Sequence, residues 1–159
     1  MKAIFAGTFD PFTTGHRNIA ERAAAVFGNV TVAVASDTGK RTAPLGKRVK
    51  IAGAATASIA GAEVVPFDGL LSDFCKKNAP CVLVRGVRSA IDLDYETAHT
   101  RVYNSLCGVQ SVLFITDAEY AHVSSTVVRE LASLGTPLDG YAVEGSQQII
   151  AEIYGAKVN

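Results

Sequence analysis

Cysteine is scarce in this chain and badly spaced for chemistry. Cys75, Cys81 and Cys107 are odd in number and form no C-x-x-C pair. That excludes a disulfide framework and leaves no zinc-ligand pattern, so no metal ligand is expected among the side chains; the three read as small buried hydrophobes. Charge of one sign is missing as well. The formal net charge is zero and no Lys/Arg run exceeds two or three residues, which excludes a reader of nucleic-acid backbones. Long apolar runs are absent: no stretch reaches the ~18 residues of a spanning helix. The N-terminus lacks a basic-then-apolar signal pattern, so no membrane partner and a cytoplasmic setting are expected. Four familiar motifs are also missing. There is no G-x-x-x-x-G-K-[ST], because Lys40 and Lys47 are each followed by arginine, and no G-x-G-x-x-G. H-E-x-x-H and G-x-S-x-G are absent too. Hydride transfer, zinc hydrolysis and serine hydrolysis therefore have no support.

What the chain does contain is apolar, and it alternates. Apolar residues make up 48% and charged residues 19% of 159 residues, a balance that suits one α/β domain spanning 1–159. Strand runs at Ala3–Ala6, Val30–Ala35, Glu63–Phe67, Cys81–Val84 and Ser111–Ile115 are separated by helical patterns. Those patterns cover about Arg17–Phe27, Lys47–Ile59, Leu70–Asn78 and Ile91–Leu106. Two further helices, about Ser125–Leu134 and Glu144–Tyr154, close the chain, with Gly135 and Pro137 stopping the first. Strict alternation predicts a Rossmann-like, doubly wound five-stranded parallel sheet with helices on both faces and C-terminal helices.

In such a sheet, ligands bind beyond the carboxyl ends of the strands, so the segments following each strand carry the functional argument. After the first comes Gly7-Thr8-Phe9-Asp10-Pro11-Phe12-Thr13-Thr14-Gly15-His16. This loop of small and hydroxyl residues opens a helix, as an anion site requires. The competing reading is a plain turn with Thr14 as helix cap and a solvated histidine. Lys40 and Arg41 follow the second strand, and Leu70 and Leu71 the third. Arg85, Gly86, Val87 and Arg88 follow the fourth. Arg85 is expected to emerge at the strand tip, free to grip a phosphate or paired to a helix carboxylate. Glu96, on the next helix, reads equally as a solvated face or a ribose contact, and His99 reads as structural. Tyr120, His122, Ser124, Ser125 and Thr126 follow the fifth strand. Three consecutive hydroxyls exceed what one helix cap needs. Cationic, hydroxyl and aromatic groups thus converge on one rim, fit for a ligand with several phosphates, a flat base and an apolar arm.

These residues resemble a family. Gly7-Thr8-Phe9-Asp10-Pro11 with Thr13-Thr14-Gly15-His16 is similar to the T/H-x-G-H motif of the nucleotidyltransferase superfamily. Val123-Ser124-Ser125-Thr126-Val127-Val128-Arg129 is similar to its I-S-S-S/T-x-x-R motif. The stretch Arg85-Gly86-Val87-Arg88 through Asp92-Leu93-Asp94-Tyr95-Glu96 resembles the bacterial pantetheine-phosphate adenylyltransferase family in particular. The resemblance implies adenylyl transfer from ATP to 4′-phosphopantetheine with Mg²⁺, in a homohexamer, with coenzyme A as a feedback inhibitor. It implies that His16 stabilises the transition state, with Thr8, Lys40 and Arg88 beside it. The acceptor would be held by Thr8, Lys40, Leu71 and Arg85. ATP would be held by Thr8, Phe9, His16, Gly86, Val87, Arg88, Glu96 and the run Tyr120, Ala121, His122, Val123, Ser124, Ser125 and Thr126. The chain departs from the family pattern at Val102-Tyr103-Asn104, where Met-Asn-Arg is common, and in a shorter loop after Lys40. Two other readings stay open: a sibling enzyme acting on another phosphorylated acceptor such as nicotinamide mononucleotide, and a non-catalytic nucleotide-binding module.

Overall fold

The computed structural model describes residues 1–36, 39 and 41–155. Strands β1 (Lys2–Gly7), β2 (Val30–Ala35), β3 (Ala62–Phe67), β4 (Cys81–Val87) and β5 (Gln110–Ile115) alternate with helices α1 (Thr14–Phe27), α2 (Leu45–Thr56), α3 (Leu71–Lys77) and α4 (Ala90–Cys107). After β5 come a 3₁₀ turn (Ala118–Tyr120), α5 (Ser125–Ser133) and α6 (Glu144–Tyr154). All strand pairings are parallel, in the order β3-β2-β1-β4-β5. The expected doubly wound sheet is what the chain forms.

Period-2 alternation in β1 sends its side chains to two different cores. Ala3 and Phe5 join Val30, Val32, Val34, Val82 and Val84 under α1, α2, α5 and α6. Ile4 and Ala6 join Ala33, Leu83, Phe67 and Cys75 on the other face, against Leu71, Phe74, Tyr103 and Cys107 of α3 and α4. The cysteines belong to this second core and are free thiols, Cys75 buried and the other two half-buried. Burial, reinforced by the neighbouring Cys81 and Cys107, pushes the Cys75 thiol up to about 12, which keeps it protonated and inert.

Several boundaries differ from the sequence reading, and three of them have a clear local reason. Helix α1 starts at Thr14 rather than Arg17, because Thr13 and His16 form a capping box. Helix α2 starts at Leu45, because the Pro44 carbonyl accepts the N–H groups of Lys47 and Arg48. Strand β4 runs three residues further than expected, since Arg85, Gly86 and Val87 pair with Leu113, Phe114 and Ile115 of β5. The last difference positions the site. The ladder between β1 and β4 ends at Phe5–Val84, so Arg85 and Gly86 are paired on one side only. Successive elements leave to opposite sides of the sheet here, and the crevice opens at this switch point.

Candidate active site

A cavity of about 570 Å³ occupies that crevice. It is lined by Thr8, Phe9, His16, Arg41, Arg85, Gly86, Arg88, Glu96, Val123, Ser124, Ser125 and Thr126, all expected on the rim from the sequence, and also by Asp10, Thr42, Asp92 and Arg129. The N-terminal turns of α1 and α5 contribute Gly15, His16, Ser125 and Thr126 to its wall, so two helix dipoles present their positive ends to whatever it holds.

The strand-to-helix loop is tightly determined. Phe9 adopts φ 49°, in the left-handed region, and is 96% buried, its ring 5.2 Å from Phe5 and 5.1 Å from Phe12. Gly7 permits this, since a Cβ there would lie 2.9 Å from the Phe9 ring. With the ring committed to packing, Phe9 meets the cavity chiefly through its backbone. Thr13, not Thr14, caps α1: its hydroxyl accepts the His16 N–H, while His16 Nδ1 accepts the Thr13 N–H at 3.1 Å. Thr14 instead donates its hydroxyl to the Gly140 carbonyl at 2.8 Å.

His16 is thereby fixed in rotamer and tautomer. With Nδ1 accepting a backbone N–H, the neutral ring carries its proton on Nε2, which has no protein partner among the described residues. Three phenylalanine rings surround the imidazole, with centroids at 5.1 to 6.2 Å. Burial, with the nearby Arg88 charge second, lowers its pKa to about 4. The ring is a neutral hydrogen-bond donor at any ordinary pH, not a cation.

Arg85 is not free. Its Nε and Nη2 donate to the two carboxylate oxygens of Glu96 at 2.5 and 3.0 Å, and Nη1 donates to the Ala6 carbonyl. Glu96 is therefore neither a solvated face residue nor unengaged: its side chain is only 14% exposed. Arg88 pairs with Asp92 at 3.0 Å and donates to the Val123 carbonyl. The hydroxyl run is likewise engaged. Ser124 caps α5, Ser125 donates to the Pro11 carbonyl, and Thr126 accepts from Arg129. Of the three hydroxyls, Ser125 ties the first loop to α5, while Ser124 and Thr126 bond within α5 itself.

Not every expected residue reaches this wall. Lys40 lies outside the described residues. Val87 is buried in the sheet, and Ala121 and His122 line neither this cavity nor the next; the His122 ring packs edge-on against Tyr141 at 5.4 Å. Tyr120 turns aside with the 3₁₀ element into a separate cavity of about 350 Å³ beside Thr14, Arg17 and Gln147. His99 stays on α4, its ring tilted against Tyr95 at 4.1 Å. Leu71 lines a third cavity, of about 280 Å³, with Leu70, Phe67, Tyr103 and Leu106, and this cavity shares Ala6, Gly7, Thr8 and Arg85 with the largest of the three. Sequence reasoning assigned no role to Asp92 or Arg129, although Arg129 closes the quoted C-terminal motif.

Residues 4–131 match the cytidylyltransferase-like family. The phosphopantetheine adenylyltransferase of Moorella thermoacetica is 36% identical over 155 residues, covering 96% of this chain and 97% of that one. That of Aromatoleum aromaticum is 42% identical over 137 residues, covering 84% and 83%. The chain belongs to the phosphopantetheine adenylyltransferase family. The fold agrees with a Vibrio parahaemolyticus crystal structure assigned as a nicotinate-nucleotide adenylyltransferase, at a TM-score of 0.73 with 15% identity over 98% of both chains. In the phosphopantetheine adenylyltransferase framework, the larger cavity is the one with helix N-termini and cations, and the smaller is the one with apolar walls.

Proposed function

We propose that this protein transfers the adenylyl group of ATP to 4′-phosphopantetheine, releasing dephospho-coenzyme A and pyrophosphate. The observation that carries the reading is a pair of adjoining cavities that share Ala6, Gly7, Thr8 and Arg85. A polar one suits a nucleoside triphosphate, an apolar one suits a pantetheine arm, and Thr8 and Arg85 stand at the boundary where two phosphates must meet.

The acceptor's phosphate monoester is already anionic near neutral pH, so an oxygen of it attacks the α-phosphorus as the bond to pyrophosphate breaks. No strong general base and no covalent intermediate are needed; positioning and charge stabilisation suffice. The Nε2–H of His16 donates to an α-phosphate oxygen as negative charge develops there. Arg85, with Thr8 and Lys40, holds the acceptor phosphate. Arg88 and the α1 and α5 N-termini hold the triphosphate. Among the described residues no three His, Cys, Asp or Glu side chains converge on a metal site. Mg²⁺, supplied with the nucleotide as MgATP, would add positive charge beside the triphosphate that Arg88 and the two helix N-termini hold.

Pyrophosphate release tests the reading against a panel of phosphorylated acceptors. Release with phosphopantetheine alone is the expected result. Release with nicotinamide mononucleotide instead would favour a sibling enzyme, and release with none a non-catalytic nucleotide-binding module. Coenzyme A, which carries the same arm, is proposed as a competitive inhibitor, and the cytoplasm as the place of action.

A hexamer is proposed as the working assembly. Helix α4 has no buried residue, and Ile91, Tyr95, Val102 and Leu106 are each more than half exposed along it. An apolar helix face of this kind suits a subunit contact. In sedimentation the wild type is expected to run as a hexamer and Val102→Asp as smaller species; a monomeric wild type would refute the assembly.

A further inference from the structure

One buried carboxylate joins three parts of the chain that the reaction scheme leaves unused. Asp10, 91% buried, accepts the Tyr154 phenol on Oδ1 at 2.5 Å and the Ala43 N–H on the same oxygen at 3.0 Å. The Arg129 Nη1 lies 3.8 Å from Oδ2 and donates to the Asp10 carbonyl. Ala43 is gripped on its other side too, because Arg48, fully buried in α2, donates Nε to the Ala43 carbonyl at 2.9 Å. The same guanidinium donates to the carbonyls of Thr8, Ala35 and Ser36.

Ala43 directly follows Arg41 and Thr42, which form one edge of the larger cavity. Asp10 lines the same cavity, so the position of that edge is set through a neighbouring residue of the wall, which Tyr154 and Arg129 hold in turn. Tyr154 is the last residue of α6, 144 positions from Asp10. Burial first, and then the bond and charge of Asp10, raise its phenol pKa well above the ordinary tyrosine range, so it remains a donor.

We infer that Tyr154 is a positioning residue for nucleotide binding: through Asp10 it holds the 41–43 segment against the β1–α1 loop, so the last helix sets the cationic edge of the ATP cavity. Arg41 presents its guanidinium to the triphosphate only while Ala43 is anchored. The inference rests on reading the larger cavity as the ATP site.

The test uses Tyr154→Phe, which keeps the ring and removes only the hydroxyl. Hydrogen exchange at the Ala43 amide is expected to quicken about tenfold while Ile51 and Ala52 in α2 stay protected. The KM for ATP is expected to rise about tenfold with kcat within about twofold of wild type. A second variant, Asp10→Asn, is expected to shift the KM for ATP in the same direction, and adding Tyr154→Phe to it should produce little further change. A purely structural tyrosine would lower Tm and leave the KM for ATP and Ala43 exchange at wild-type values, and that outcome overturns the inference. Faster exchange with an unchanged KM also overturns it. Calorimetric titration of the wild type with MgATP keeps the underlying reading separate: absence of binding there refutes the assignment of the cavity, whereas binding that Tyr154→Phe leaves unchanged refutes the clamp.

Discussion

His16→Ala is expected to fold and still bind ATP, yet to turn over about 100- to 1000-fold more slowly, the usual effect of removing one donor from a developing oxyanion. Only one atom of the ring is available for that role. Nδ1 is occupied by the Thr13 N–H, leaving Nε2–H as the donor. The substitution also removes half of the capping box, which costs about 1 kcal/mol and lowers Tm by about 2–4 °C in a chain of this size. A small Tm change beside a large kcat change is the signature; near-wild-type kcat would refute the role.

The same residue predicts a pH dependence. Its folded-state pKa of about 4 lies below the unfolded value of 6.5, so the unfolded chain takes up the proton first. The stability contribution of the neutral ring is complete above about pH 6.5 and is lost as the pH falls toward 4. Urea midpoints collected across that window should fall for the wild type and fall less for His16→Ala. Catalysis behaves differently: an acid limb near pH 6 belongs to the acceptor's phosphate monoester, whose second pKa is about 6, and should survive in the variant with its midpoint unchanged.

Arg85→Met is the second large effect, and it has two separable parts. Losing a charge-assisted contact to the acceptor phosphate is worth about 1.5–3 kcal/mol, so the KM for the acceptor should rise roughly 10- to 100-fold. Glu96, with a side chain 14% exposed, is left without its partner, and unfolding free energy should fall by about 2–4 kcal/mol for that reason. Adding Glu96→Gln removes the orphaned charge. The double variant Arg85→Met/Glu96→Gln should recover most of the stability while the acceptor KM stays high. If acceptor KM recovers together with stability, Arg85 acts only through the fold.

The alternation of strands and helices was legible because periodicity is local: β-branched runs and capped amphipathic stretches report their own conformation wherever they end up. The wall of the cavity was legible for a related reason, since in an alternating α/β chain the segments after the strands must share one rim. Boundaries were less so where a side chain three residues away decided them, as Thr13 and His16 do for α1. The pairing of Arg85 was weighed against phosphate binding and could not be decided, because a guanidinium emerging from β4 satisfies either partner and only the path of α4 brings Glu96 within reach. Tyr120 and His122 are expected on the wall because they follow the fifth strand, but the 3₁₀ turn at Ala118–Tyr120 directs Tyr120 to another cavity and His122 packs on Tyr141.

By itself the sequence determined the layer architecture, the family motifs and the chemical inventory of one rim: small residues, hydroxyls and cations at strand ends. The tertiary structure alone decided which of those groups are already engaged by the protein and which face the cavity. Every hydroxyl and guanidinium in the chain has the same bonding capacity. Its use depends on acceptors contributed by segments as distant as Asp10 and Tyr154, and no local pattern encodes that distance.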